Sequence, residues 1–396
     1  MAHSDERTVF RAPPAALADE QSQLEPFEWY ERMRRTAPVQ YDDKLNRWHL
    51  FRYEDVATVL RDHERFTADI SSTDIELVDG DPFETPGTTT SMLRTAPPDH
   101  SRRRSFATPR FQPGTIAEHR EEFGEIAADL LDSIEPNSTV ELIDAFTHPF
   151  PITVIASLLG LPAVEYDRFR EWSLATTELS PTDASAARQA REEMRSYFSK
   201  LVRDRADGDG DDLISLAASN DALSHEETVT FCTTILVAGN VTTVNLITSA
   251  LWCFAEFDLF DDVRSGAIDR ETVIEEVLRY RPPAQSVRRV TTEPVTLCGT
   301  QIDANELLVA YIGSANRDPV RFDEPETFVP ERTPNPHLTF GGGIHFCLGA
   351  QLARLEADIA IECLLDRFSV IEPDCSSLRP QSLVYGVREL PCYLEP

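Results

Sequence analysis

From Thr228 to Ala255 the chain runs without one charged side chain. By length such a stretch can cross a bilayer as a helix. It also carries Thr230, Thr233, Thr234, Asn240, Thr242, Thr243, Asn245, Thr248 and Ser249, with Gly239 in mid-run. So many polar groups are costly in lipid, and no second span exists to pair with them. A long helix buried through the middle of a globular protein satisfies both facts. The remainder must then be large enough to wrap it. With 396 residues, 41% of them hydrophobic, it is. The usual soft prior on length suggests two domains. No Gly/Ser-rich linker, low-complexity run or internal repeat divides the chain, so a single domain over 1–396 is expected, with about the first twenty residues flexible.

Charge narrows the partners. There are 68 acidic residues against 37 basic ones, a net charge of −31, and the lysines are Lys44 and Lys200 alone. So acidic a surface repels nucleic acid and anionic membranes, and its self-repulsion opposes the compact state unless salt screens it. No nucleic-acid partner and no membrane span are expected. The acid-rich, lysine-poor composition is similar to that of halophile cytosolic proteins; an ordinary acidic, Arg-rich protein from a GC-rich genome is the plainer alternative. The N-terminal segment lacks an apolar core for a signal peptide or anchor. The seven cysteines are irregularly spaced with no CxxC, which indicates neither a disulfide framework nor a zinc site. A cytoplasmic location follows.

Helical periodicity dominates the rest. Helices are predicted at Pro26–Arg35, Tyr53–Arg61, Ile116–Ile134, Phe150–Leu159, Tyr166–Trp172, Ala186–Arg205, Glu271–Tyr280 and Ala350–Phe368. Val39–Tyr41 and Arg47–Phe51 flank a polar turn and predict a hairpin. Strand-like stretches lie around Ser286–Leu297 and at Leu307–Tyr311, and Leu383–Val387 with Glu389–Leu394 suggests a terminal hairpin. Asn316–Pro336 is a turn-rich meander. Ser71 to Pro98 has no periodicity; a loop this long is disordered or functional, and its place before a candidate cofactor segment favours a substrate-facing loop. The fold class is mainly α with small β elements.

The strongest chemical signal is Phe340-Gly-Gly-Gly-Ile-His-Phe-Cys-Leu-Gly349. A thiolate that ligates iron must be kept deprotonated, aimed and shielded. Gly341 to Gly343 allow backbone shapes that turn amide N–H groups toward the sulfur. Cys347 precedes a helical run whose N-terminus favours negative charge and lowers the thiol pKa. Phe340 and Phe346 are placed to exclude water. The other cysteines read as small buried hydrophobes.

Glu276-Val-Leu-Arg279 puts a carboxylate and a guanidinium on one helix face; alone it is a surface pair worth little. His100 and Arg104, one helical turn apart in His100-Ser-Arg-Arg-Arg104, can jointly bind an anion, or form a capped helix start or a basic patch. Ala238-Gly239-Asn240-Val241-Thr242-Thr243 sets a glycine inside the long helix, at a cost of about 1 kcal/mol relative to alanine. A local opening for a ligand explains it; core threonines bonded back to the helix are the bland reading.

These segments resemble the cytochrome P450 family. The glycine-rich loop matches its cysteine-ligand pattern, Phe-x-x-Gly-x-His-x-Cys-x-Gly, at every fixed position, and the match extends from about Leu24 onward. A Cys thiolate is that family's haem ligand. The resemblance implies the P450 fold, a long central helix with haem between it and the Cys-ligand helix, and heme b as cofactor. It assigns Cys347 to the iron and His100, Arg104, Arg289 and His345 to the propionates. Phe340, Gly349 and Ala238 then line the cofactor. Glu276, Arg279 and Arg332 resemble the structural triad that locks the core to the meander. Thr242 resembles the threonine beside bound oxygen. The residue before it, acidic in the family, is Val241, so proton delivery falls to Asn240, a water, Thr243 or a polar group on the substrate.

The implied function is a monooxygenase that inserts one oxygen atom from dioxygen into a small, largely apolar organic substrate. Electrons come from an external ferredoxin and its reductase, since no reductase is fused. Arg102 and Arg103 fall near the face where such donors dock. Substrate contacts are expected from the 71–92 loop, Val237, Val241, Ala284–Val287 and Val384–Val387. The alternatives are a peroxide-driven or non-hydroxylating haem-thiolate enzyme, suggested by Val241, and a haem-based sensor.

Overall fold

The computed structural model describes residues 14–69, 91–162, 165–177, 184–381 and 384–396. The first thirteen residues and most of the expected 71–92 loop lie outside them.

The uncharged run becomes one helix, His225–Glu256. A capping box starts it: the Glu227 N–H donates to Ser224 Oγ, and the Ser224 N–H donates to the Glu227 carboxylate. Two of the donors that a helix start leaves over are thereby satisfied. The apolar window of this helix is 83% buried inside the protein, so neighbouring helices, not lipid, cover it. Helices Pro149–Leu158, Tyr166–Thr177, Ala184–Arg205, Arg270–Tyr280 and Ala350–Arg367 pack around it. Its hydroxyls turn back on its own backbone: Thr233 donates to the Val229 carbonyl (2.9 Å), Thr242 to Ala238 (2.9 Å) and Thr248 to Val244 (2.7 Å). That habit lets a polar side chain sit in a helix interior without another partner.

The strands are β1 (Val39–Asp42), β2 (Arg47–Leu50), β3 (Phe66–Thr67), β4 (Ser138–Glu141), β5 (Ser286–Thr291), β6 (Val295–Leu297), β7 (Thr300–Ile302), β8 (Leu307–Tyr311), β9 (Val370–Pro373) and β10 (Pro391–Glu395). They form a five-stranded sheet ordered β1-β2-β8-β5-β3, a three-stranded sheet β4-β10-β9 and the pair β6-β7. The β1-β2 hairpin pairs Val39 with Leu50 and Asp42 with Arg47, as the polar turn predicts. One large core cluster reaches from Leu24 to Leu394, and a smaller one fills the space between β2, β8 and helix Tyr53–Arg61.

The structure corrects the sequence reading in several places. The 116–134 segment is two helices, Pro113–Ala117 and Arg120–Asp132. The 286–297 stretch is interrupted before β6 at Pro294, which has no N–H to give a ladder. The terminal hairpin is not formed. Among the described residues Val387 makes only an isolated bridge to Pro380, and β10 pairs with β4 on one edge and β9 on the other. A strand flanked on both edges has all its backbone groups paired, which a two-stranded tail does not achieve. Leu383 lies outside the described residues.

Candidate active site

The glycine-rich loop joins the meander to helix Ala350–Arg367. Gly341 and Gly343 have φ of +76° and +61°, a left-handed backbone that side chains rarely adopt. At Gly343 space forbids a side chain as well, because a Cβ there stands 2.8 Å from the Arg61 carbonyl oxygen and 3.0 Å from its Cα. The loop therefore lies directly on the end of helix Tyr53–Arg61. The Cys347 N–H donates to the Phe340 carbonyl at 2.8 Å and closes the turn.

Cys347 is open to solvent, whereas Cys232, Cys253 and Cys392 are buried. Protein is nevertheless packed closely around the sulfur, and burial pushes its thiol up. The Gly349 N–H, Arg104 and Arg354 act the other way. The sequence expectation of a lowered thiol is thus not met by the protein alone: the donors are in place, and desolvation outweighs them. A metal ion at the sulfur would supply the missing charge, since it deprotonates a coordinating thiol outright. Phe340 carries the Arg354 guanidinium 4.4 Å from its ring centroid. Phe346 is 42% exposed, so of the two rings expected to exclude water only Phe340 is covered by protein.

A group of cation-forming side chains gathers beside this loop. The His100 and His345 rings meet edge to face at 4.5 Å. Arg104 donates to the Phe346 carbonyl at 2.7 Å. Burial lowers the pKa of His100 to about 4, helped by Arg104 and His63. Burial likewise takes His345 to about 3, with Arg289, His100, Arg104 and His63 adding to it. Arg289 is lowered to about 10 by burial and by Arg94. Among the described residues, no carboxylate figures in these shifts. His100 Nε2 and Arg289 Nε are buried without a hydrogen-bond partner. Sequence analysis gave four of these residues as one anion site, and the structure brings all four together. Arg94 and His63 escaped it, since neither stands in a motif.

Across the protein the long helix is open on one short face. Ala238, Gly239 and Thr242 are partly accessible, whereas Val237, Asn240, Val241 and Thr243 are buried. Positions 238, 239 and 242 share a helix face, so the opening falls on the segment singled out for oxygen. Asn240 points elsewhere: its amide donates to Ser173 Oγ at 2.8 Å in the interior. Its Oδ1 is buried without a hydrogen-bond partner. Thr243 donates to the Gly239 carbonyl at 3.0 Å. The expected substrate contact Val237 is likewise turned inward. Tyr385 and Val387 are also buried, the Tyr385 hydroxyl donating to the Leu24 carbonyl and accepting from Arg281.

Behind the loop, Glu276 and Arg279 are fully buried. Arg279 donates to both Glu276 oxygens at 2.8 and 2.7 Å and to the carbonyls of Asn316, Pro325 and Thr327. Arg332 Nε lies 3.1 Å from both carboxylate oxygens. Burial turns the pair from a surface ornament into the fastening between helix Arg270–Tyr280 and the meander. A second fastening was not foreseen: Glu275 accepts from Arg354 at 2.6 and 3.0 Å and pairs with His337 at 3.0 Å. Arg102 and Arg103, expected near the face where a donor docks, are bound to Glu227 at the start of the long helix.

These residues fit a thiolate-ligated, dianionic porphyrin: an accessible sulfur on a rigid turn, with Arg104, Arg289 and two histidines gathered beside it and, among the described residues, no carboxylate acting on the histidines or Arg289. The comparisons agree. The family model "Cytochrome P450" matches residues 271–388, which hold Glu276, Arg279, Arg289, Arg332 and the Cys347 loop. The chain is 34% identical to the putative cytochrome P450 YjiB of Bacillus subtilis, over 93% of this chain and 94% of that protein. It is also 34% identical to the erythromycin C-12 hydroxylase of Saccharopolyspora erythraea, over 95% of each. Among solved structures it is similar to CYP109E1 of Bacillus megaterium in complex with testosterone, with a TM-score of 0.85 and 33% identity, covering 95% of this chain and 99% of that one. P450BioI in complex with a fatty-acyl-loaded acyl carrier protein gives a TM-score of 0.87 at 30% identity, covering 95% and 100%.

Fold and site together define a haem-thiolate oxidoreductase. The chain belongs to the cytochrome P450 family, with heme b as its cofactor, and it is a monooxygenase that acts on a small organic molecule with electrons from a redox partner.

Proposed function

We propose that Cys347 is the axial thiolate, and that His100, Arg104, Arg289 and His345 hold the haem propionates. The observation that carries this reading is the cluster of Arg104, Arg289, His100 and His345 beside the accessible sulfur, in which, among the described residues, no carboxylate acts on the histidines or Arg289. Bound haem supplies the activation of dioxygen for insertion into a C–H bond. The protein's own groups do the rest. Phe340, Ala238 and Gly349 bound the cofactor space, and Gly239 lets Ile155 close on the long helix, since a Cβ there would stand 3.1 Å from Ile155 Cδ1. The Thr242 hydroxyl holds a hydrogen bond to the Ala238 carbonyl on the open helix face. Glu276, Arg279 and Arg332 act as fastenings, outside the chemistry.

We further propose that the substrate is a largely apolar molecule of the size of a steroid or a long-chain fatty acyl group. A steroid is bound by one similar structure and a fatty acyl chain by another. The donor is a ferredoxin with its reductase, the location cytoplasmic, and the chain one domain. With −31 charges, association with an acidic ferredoxin strengthens as salt screens the repulsion.

Two measurements test the assignment. Cys347→Ser must abolish the haem-thiolate absorption band of the reduced carbonyl complex; its survival refutes the ligand. A screen of steroids, terpenoids and fatty acids for substrate-induced Soret shifts, followed by turnover with ferredoxin or with peroxide, identifies substrate and donor. Turnover with peroxide alone defeats the monooxygenase with an external donor.

A further inference from the structure

We propose that Asn245 and Gly386 set the width of the substrate space, by fixing how close the 384–387 segment stands to the open face of the long helix. The inference deepens the monooxygenase reading and rests on Val384 and Ala284–Val287 as substrate contacts. Both members of the pair are positioning residues, outside the chemistry.

Asn245 follows Thr242 by one helical turn and is fully buried. Its amide donates to the Val241 carbonyl at 2.8 Å and to Gln381 Oε1 at 3.0 Å. Both amide hydrogens are thereby used, and the second ties the long helix to the C-terminal segment. Asn245 Oδ1, on the other side of the amide, is buried without a hydrogen-bond partner. Gly386 lies against it. A Cβ at Gly386 would overlap Oδ1 and stand 2.5 Å from Cγ. The Gly386 backbone is not left-handed, so space alone bars a side chain there.

Stability explains neither residue. A buried amide oxygen without a donor opposes folding, and a glycine raises the entropy that the unfolded chain must lose. Close approach explains both. The amide is held by its two bonds, and the glycine lets backbone rest directly on it. Neither partner has a spare rotamer by which to yield, so the dimension of this contact is passed on to the residues beside Gly386.

Those residues include the expected substrate contacts. Tyr385, Gly386 and Val387 are buried, and Val384 is the half-buried member of the segment. The Tyr385 N–H donates to the Pro283 carbonyl at 2.8 Å. That bond sets the backbone at Val384 beside Ala284, which is half-buried too. The Gln381 N–H donates to the Gly386 carbonyl at 3.0 Å, so the residue that Asn245 binds and the residue it touches belong to one closed turn. The two stretches expected to face substrate therefore meet at one backbone bond, and the Asn245–Gly386 contact sets their distance from the long helix.

The test uses the full haem-loaded chain and two iron-binding probes of different size, imidazole and 4-phenylimidazole, titrated by their Soret shifts. Imidazole reports access to the iron alone; the phenyl group adds a demand for space beside it. Gly386→Ala should change the dissociation constant of 4-phenylimidazole relative to that of imidazole by about tenfold, the low end of what one methylene of misfit is worth in an apolar pocket. The thiolate carbonyl band should stay. Asn245→Ala removes the two atoms that the new Cβ meets most closely. The Gly386→Ala, Asn245→Ala double variant should therefore differ from Asn245→Ala by less than about twofold, the scatter of independent sites. A purely structural role would lower the thermal midpoint and leave the ratio of the two constants unmoved. Should Gly386→Ala not fold, Gln381→Ala, which removes the acceptor of the Asn245 amide, carries the test on the same ratio. An unchanged ratio in the folded variant, or a tenfold effect that persists in the double variant, overturns the proposal. Wild-type protein without the thiolate band, or with a Soret band that imidazole does not shift, would instead overturn the haem assignment.

Discussion

Arg279→Ala should cost this protein a measurable part of its fold, and the structure says how much. The guanidinium is fully buried and closes its bonds on Glu276 and on the carbonyls of Asn316, Pro325 and Thr327. Removing it leaves the Asn316 and Pro325 carbonyls without that donor, while Thr327 keeps Arg332. It also leaves Glu276 to Arg332, Asn335 and the Val329 N–H, so the carboxylate is weakened rather than abandoned. Breaking a buried pair from one side costs about 3–5 kcal/mol. With an unfolding entropy of about 2.1 cal/mol/K per residue, a chain of 396 residues then melts roughly 4–6 °C lower. Calorimetry on the haem-loaded protein measures this. Arg379→Ala is the control: its pair with Glu389 is about half exposed on both sides, and such pairs contribute little. A midpoint for Arg279→Ala within 1 °C of wild type (about 1 kcal/mol), or equal losses in both variants, refutes the view that burial makes the triad a fastening.

Glu275 is pulled from the ordinary 4.5 to about 2: burial raises it, and His337 and Arg354 together outweigh that. A lowered folded pKa gives stability that is whole above 4.5 and lost as pH falls toward 2, so Glu275→Gln should flatten acid denaturation across that window; an unchanged profile counts against the pair. Arg289→Leu should raise the thermal midpoint of the haem-free protein, because an unpaired buried cation is removed, while weakening haem retention in a transfer assay to apomyoglobin; unchanged retention removes Arg289 from the propionate site. Thermal midpoints should climb with molar KCl if the acidic surface is an adaptation to salt, and a flat response removes that reading.

Much of the candidate site was legible before any fold existed. Cys347, His100, Arg104 and His345 stand in short motifs, and the uncharged run Thr228–Ala255 announced a buried helix by composition alone. Local pattern also placed helix Tyr53–Arg61 and strand Leu307–Tyr311 at their observed ends. Tertiary structure decided the rest, because partners distant in the chain leave no local mark. Only packing turned Asn240 onto Ser173, bound Arg102 and Arg103 to Glu227, and gave β10 its neighbours β4 and β9. Only packing made Glu276–Arg279 a buried fastening instead of a surface pair. Sequence sets which side chains a helix face offers; the free energy of burying them against other elements sets what each one meets.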